Sequence, residues 1–458
     1  MRVDASENKY NEAGYVPVSF REKLGYGIGD FTTSLVFTVI GTFLSIFYTD
    51  IIGIAPAVIG TMMLLVRVID GGADIVMGAI VDRTDSKHGK ARPWLLWMSV
   101  PFGGSLILLF YAPELGPTGA IVYAYATYLL VNLIYTAINI PYGTLNALIT
   151  QDPYQRSLLN IFRMTLAMAG AALITFVTMP MVNHFGGGKT GWFLTFLIIG
   201  ALAPFMYLIT FKATKERVKP VVAAKKVPLK RALPALFRNK YWLLMVAFCL
   251  VVYIGSALTS GLNAYYAKYI LENPDLVGPL GLASLLPMLI GIPLTAPLVK
   301  RFGKRNTALS ASVLGMIGIA IIMIDPYNFN VILIGTVVKA LFMAPLVGTM
   351  FAMLADTIEY GEWKTGIRSE GLVYSAGSFG TKVGSGLGGA AVGWSLAFGG
   401  YDGTLANQSG QAIEVIKMVY LYAPLVISIL AILILYVYQL DKKFPAIIQE
   451  LKEMTQNQ

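Results

Sequence analysis

Three ionisable residues, Arg67, Asp70 and Asp74, stand in a run of sequence that is otherwise apolar. Spacings of three and four put all three on one face of a helix. In the middle of a bilayer an ionisable side chain costs at least about 2.5–3.5 kcal/mol, so each needs a partner or a task. Two carboxylates one turn apart repel when both are ionised. They attract a cation, or one of them holds a proton near neutral pH. Either outcome makes Asp70 and Asp74 a cation-coupling pair. The plainer alternative is an ion-pair network with Arg67 that only joins helices, but one arginine does not neutralise two acids.

Further polar groups recur in apolar runs downstream. Asn132, Thr136, Asn139 and Gly143 form one helical stripe, with Tyr135 beside it. Amide and hydroxyl oxygens suit sodium as ligands and sugar hydroxyls as hydrogen-bond partners, and they also serve as plain interhelical bonds. Pro141 in the same run is expected to bend the helix. Arg163 and Lys382 are candidates to balance the two acids or to bind a substrate carboxylate; snorkelling to the membrane surface is the alternative for Arg163. Lys339 has no evident partner in the sequence and is placed in the pocket. Asp30 lies near the start of the first apolar run and reads as a cap or a pairing group. The two histidines, His88 and His184, fall in predicted loops, so no histidine relay crosses the apolar runs. No phosphate-binding loop, metal-ligand cluster or nucleophile elbow is present in the sequence, so ATP-driven chemistry and enzymatic hydrolysis have no support.

The elements that position these groups follow from composition. The chain has 458 residues, 56% hydrophobic and only 13% charged, and its mean hydropathy is +0.65. An average soluble domain is about 25% charged. A disordered chain, a disulfide scaffold (Cys249 stands alone) and an ordinary cytosolic enzyme are excluded. Residues 1–23 contain no cleavable signal. Apolar runs long enough to cross about 30 Å of hydrocarbon are expected at 26–48, 58–81, 94–112, 120–148, 161–182, 191–211, 242–267, 279–299, 307–324, 329–354, 371–398 and 415–438. Of the 35 Lys and Arg, 28 fall in the segments that are cytoplasmic if the N-terminus is inside, which predicts cytoplasmic termini. The net charge of +10 is then topology and needs no nucleic acid. The expected organisation is a cytoplasmic segment 1–24, a six-helix bundle 25–211, a basic linker 212–240, a second six-helix bundle 241–440 and a cytoplasmic tail 441–458. A short basic turn recurs in each half, Asp82-Arg83 through Gly89-Lys90 and Lys300-Arg301-Phe302-Gly303-Lys304-Arg305, as two related bundles would have.

On these residues the chain resembles the glycoside–pentoside–hexuronide:cation symporters of the major facilitator superfamily, the melibiose-carrier group. The carrying stretches are Tyr48-Thr49-Asp50, Arg67-Val68-Ile69-Asp70-x-x-x-Asp74, Asp82-Arg83-Thr84 through Pro93-Trp94, Asn139-Ile140-Pro141-Tyr142-Gly143 and Ala355-Asp356-Thr357-Ile358-Glu359-Tyr360-Gly361-Glu362. The resemblance implies an all-α membrane fold of two six-helix bundles and sugar uptake by alternating access with H+ or Na+. It implies no other cofactor and no enzyme activity. It implies a cation site at Asp70, Asp74, Thr136 and Asn139, the Na+ ligands if sodium is used. Sugar contacts follow at Ser34, Tyr135, Asn139, Arg163, Tyr374, Ser378 and Lys382, and cytoplasmic gates at Asp82, Arg83, Asp356, Glu359 and Arg368. Ser34, Asn139, Gly143 and Val347 stand where the melibiose carriers have two aspartates and two tryptophans, and the motifs are more similar to the glucuronide and pentoside branch. The expected partners are a small glycoside or hexuronide and the lipid bilayer. A monomer in a bacterial inner membrane is expected. Two rival readings keep the fold: a sodium-coupled lysolipid carrier, and a sugar sensor without flux.

Overall fold

The computed structural model describes residues 17–218, 234–366, 370–405 and 407–456. Among them are thirteen long α-helices: α1 Phe20–Ile46, α2 Pro56–Arg83, α3 Arg92–Leu109, α4 Gly116–Ile149, α5 Pro153–His184, α6 Gly188–Ala213, α7 Lys240–Tyr269, α8 Val277–Phe302, α9 Lys304–Ile324, α10 Phe329–Thr365, α11 Glu370–Phe398, α12 Gly410–Val437 and α13 Leu440–Gln456. The first twelve coincide with the twelve apolar runs of the sequence. A turn of π-helix, Phe47–Ile52, prolongs α1. Nine of the helical segments are long and apolar enough to cross a membrane by length and composition. Among the described residues, α2, α3 and α11 fall outside that set.

Side chains such as Ile290, Ile324 and Phe398 stand 66%, 78% and 80% exposed on these helices. Large apolar side chains in such number on an outer surface suit a hydrocarbon solvent, where backbone groups must be satisfied within each helix. Some of the helix starts are capped by side chains. Asn239 accepts the Trp242 amide at 3.0 Å at the head of α7, and Ser409 accepts the Ala412 amide at 3.1 Å at the head of α12. Pro141 sits inside α4, which continues past it to Ile149.

The contacts divide the chain into two compact units. The first takes in residues 1–40, 50–54 and 69–223, and the second 41–49, 55–68 and 224–458. The second unit thus includes the end of α1 and the first half of α2, and the end of α1 with its π-turn is joined to α7 by hydroxyl pairs, Thr42–Ser260 at 3.0 Å and Thr49–Tyr265 at 2.9 Å. Within the same unit α9 and α10 cross at Gly318 and Gly335. A Cβ on Gly318 would come within 2.5 Å of the Gly335 carbonyl and 2.7 Å of Lys339 Cα, so only glycine admits this approach.

The two basic turns that recur in the sequence are built alike. In the first unit Glu216, just beyond α6, accepts the amides of Lys90, Ala91 and Arg92 at 2.9 Å each. These amides head α3, where unpaired N–H groups and the helix dipole favour an anion. The Arg92 guanidinium donates back to the Phe211 carbonyl in the last turn of α6 at 2.8 Å. In the second unit Asp441, just beyond α12, accepts the Arg305 amide at the head of α9 at 2.8 Å. The Arg305 guanidinium donates to the Leu435 and Tyr436 carbonyls in the last turn of α12, at 2.8 and 2.9 Å. Each half therefore clasps the start of its third helix to the end of its sixth.

The chain from Leu440 onward forms α13, whose Leu440 and Ile447 belong to the buried core of the second unit, with Phe444 and Leu451 packed against it. Its Glu450 accepts the Trp363 indole N–H at 2.6 Å.

Candidate functional site

In the first unit α2 and α4 bring Asp70, Asp74 and Thr136 together. The Thr136 hydroxyl donates to Asp70 Oδ1 at 2.6 Å and lies 3.1 Å from Asp74 Oδ1. Asp70 is fully buried and Thr136 nearly so, while Asp74 is half-buried. One hydroxyl carries one proton, so it serves one carboxylate at a time. Being neutral, it brings no positive charge to the pair. Carboxylate and hydroxyl oxygens are the donor type that suits a hard cation. Both acids make further interactions within the molecule.

The rest of the α4 stripe divides by task. Asn132 turns its amide N–H back to the Tyr128 carbonyl at 2.7 Å and so serves its own helix. Asn139 is half-buried. Ser34 on α1 is half-buried in the same way. Tyr135 lies against Phe37, with ring centroids 5.8 Å apart. Arg67 falls within the second unit and is engaged by interactions within the molecule. Its side chain is buried against α11, where a Cβ on Gly386 would meet Arg67 Cβ at 2.8 Å.

Arg163 on α5 meets Asp30 on α1, Nε to Oδ2 at 2.9 Å, with 28% and 14% of the side chains exposed. The guanidinium also sits 5.0 Å from the centre of the Tyr142 ring, which stacks on Tyr26 at 4.7 Å. The charge of Arg163 is therefore matched within the unit, and the pairing expected of Asp30 is found. In the second unit Ser378 is exposed and Lys382 half-buried, one turn apart on α11, and Lys382 is engaged by interactions within the molecule. The side chains of Tyr374 and Asp82, and the whole of Arg368, lie outside the described residues.

Of the expected gates, Arg83 is exposed at the end of α2. Asp356 receives the Lys304 ammonium on both carboxylate oxygens at 2.6 Å, and Lys304 also lies 5.6 Å from the centre of the Phe444 ring of α13. Glu359 interacts within the molecule as well. Sequence reasoning did not single out Lys304 as the partner of Asp356, nor Glu216 and Asp441 as the clasp acids, nor the bidentate pair of Glu22 with Arg217, at 2.9 and 2.7 Å. The basic turn containing Lys304 was visible, but no local pattern indicates an acid 52 positions away. Among the described residues no group of three or more His, Cys, Asp or Glu could hold a metal ion.

Residues 25–442 match the family model described as MFS/sugar transport protein. The chain belongs to this family. The sugar-transport family member is 36% identical over 443 residues to the isoprimeverose transporter of Lactiplantibacillus pentosus, covering 95% of this chain and 92% of the relative. It is 33% identical to the glucuronide carrier protein homolog of Escherichia coli, covering 95% and 96%, and 32% identical to an inner membrane symporter of the same organism, covering 91% of each. Among solved structures it resembles the nucleoside transporter NupG, with a TM-score of 0.66 at 14% identity over 90% of this chain and 99% of that one. It also resembles a bacterial homolog of the human lysosomal transporter Spinster, with a TM-score of 0.62 at 15% identity over 94% and 96%. The fold of this sugar-transport protein is thus the all-α major facilitator fold. It is a multi-span membrane transporter and not an enzyme.

Proposed function

We propose that this protein imports a glycoside, pentoside or hexuronide across the cell membrane in symport with H+ or Na+, by alternating access. The observation that carries the reading is the Asp70–Thr136–Asp74 cluster, two carboxylates on one helix face sharing a single hydroxyl. It is supported by relatives over more than nine-tenths of the chain that are named as an isoprimeverose transporter and a glucuronide carrier homolog.

In this reading the coupling cation is held by Asp70 and Asp74, with Thr136 and Asn139 adding neutral oxygens. The cation relieves the repulsion within the pair. Sugar and cation each favour the same closed state, so movement with only one bound is disfavoured. The sugar hydroxyls are met by Ser34, Asn139, Ser378 and Lys382, with Tyr135 or Tyr374 against a sugar face and Arg163 at the border of the site. Asp82 with Arg83, and Asp356 with Glu359 and Arg368, open and close the cytoplasmic side. The organisation is two six-helix halves, 25–211 and 241–440, acting as a monomer with both termini cytoplasmic.

The test uses reconstituted vesicles with an imposed proton or sodium gradient. Asp70→Asn and Asp74→Asn should abolish gradient-driven accumulation while leaving some exchange or sugar binding. Accumulation by both variants at the wild-type level would sink the coupling role, and uptake of lysolipid in place of any sugar would sink the substrate class.

A further inference from the structure

We propose that Lys339 is the docking point for an acid group on the substrate, and that the sugar carried is a glycoside bearing a carboxylate. The inference rests on the sugar-transport reading above and narrows its substrate class. Lys339 lies ten residues into α10, about 15 Å along the axis at ~1.5 Å per residue. That is the middle of an apolar layer of about 30 Å, out of reach of lipid phosphates at either surface. Lys339 itself is half-buried.

Its ammonium makes no hydrogen bond and no ion pair with any described residue. Among the described residues no carboxylate pairs with it. The helices packed on α10 include α7, α8 and α9, and none of the three contains an Asp or Glu. On α11 the sole acid is Glu370, its first residue. The nearest acid along α10 itself is Asp356, about 25 Å away along the axis, and it is already paired with Lys304. One turn from Lys339, the hydroxyl of Thr336 is buried and also lacks a partner. Both groups on this stretch of helix can donate, so an acceptor on a ligand would satisfy both.

A packing role does not account for the lysine. Its contact with α9 at Gly318 is made by the backbone N and Cα, atoms that any residue supplies. An unpaired ammonium at this depth is costly, and a carboxylate arriving with the substrate would recover that cost with charge-assisted hydrogen bonds. The other basic residues in the apolar runs differ: Arg163 is matched by Asp30, and Lys382 and Arg67 are engaged.

The test compares p-nitrophenyl β-D-glucuronide with its neutral twin, p-nitrophenyl β-D-glucoside. Binding to the purified full-length protein is measured by calorimetry for the wild type, Lys339→Gln and Lys339→Arg. The wild type should bind the glucuronide at least tenfold more tightly than the glucoside. Lys339→Gln should lose at least tenfold for the glucuronide and stay within twofold for the glucoside, and Lys339→Arg should keep most of the preference. Equal wild-type affinities, a preference for the glucoside, or equal loss of both sugars in Lys339→Gln would each overturn the proposal. The wild-type comparison stands even if Lys339→Gln does not fold. If the wild type binds neither sugar, uptake of xylosides and galactosides separates the cases: uptake of a neutral sugar overturns the role of Lys339 alone, and no uptake of any sugar overturns the transport reading along with it.

Discussion

At Thr136 one hydroxyl proton faces two carboxylates, and the arrangement makes a specific demand. Removing the hydroxyl leaves buried Asp70 without a donor that it now receives at 2.6 Å. Losing a hydrogen bond to a buried charged group costs about 1–3 kcal/mol. If the hydroxyl oxygen is itself a ligand of the cation, Thr136→Val should weaken coupling-ion binding by about tenfold, which corresponds to about 1.4 kcal/mol, while Thr136→Ser keeps the oxygen and most of the affinity. Titrating ion-dependent uptake in vesicles measures this, and an unchanged half-saturation in Thr136→Val would remove the hydroxyl from the site. A second expectation concerns Arg163. Because Asp30 already neutralises it, Arg163→Ala would leave Asp30 as an uncompensated acid. The double variant Arg163→Ala with Asp30→Asn should therefore recover thermal stability lost in the single one. Thermal unfolding in detergent reads the difference.

Among the elements, α3 and α9 are each held at their N-termini by a carboxylate from just past the sixth helix of their half. The repeat of basic turns in the sequence has this physical cause: a helix start presents unpaired amides, and an acid is the simplest partner for them. Glu216→Gln and Asp441→Asn remove the charge but keep the shape. Each should lower the unfolding midpoint by several degrees, consistent with a loss of about 1–3 kcal/mol. Glu216 receives three amides and Asp441 one at this helix start, so the first variant should lose more. Equal midpoints to the wild type for both would show that the clasps contribute nothing to stability. The glycine crossing of α9 and α10 is a separate element-level constraint. Gly318→Val cannot keep the present approach and should be more destabilising than either clasp variant.

For the whole molecule, sidedness is the property that the Lys and Arg distribution predicts. Cys249 is wholly buried in α7, so in native membranes an impermeant maleimide should leave the protein unlabelled. In a Cys249→Ser background, a cysteine at Lys443 should react only when the cytoplasmic side is open to reagent, and one at Lys189 from the outer side. Both positions are exposed. The opposite pattern would invert the topology.

Helix positions were legible because an apolar run of given length is a local property, and so was the Asp70–Asp74 pair, which depends only on a spacing of four within one helix. The family was legible in five short motifs distributed along the chain. The sequence by itself therefore determined the class of molecule, the helices and the acids of the candidate cation site. Tertiary structure decided the partners. Thr136 reaches Asp70 across 66 residues of chain, Arg163 reaches Asp30 across 133, and Lys304 reaches Asp356 across 52. Periodicity states which way a side chain faces along its own helix, but not which helix it meets. For the same reason the sequence could mark Lys339 as a charge in an apolar run, while only the packing of α7, α8 and α9 around α10 showed that these three helices bring no acid to it.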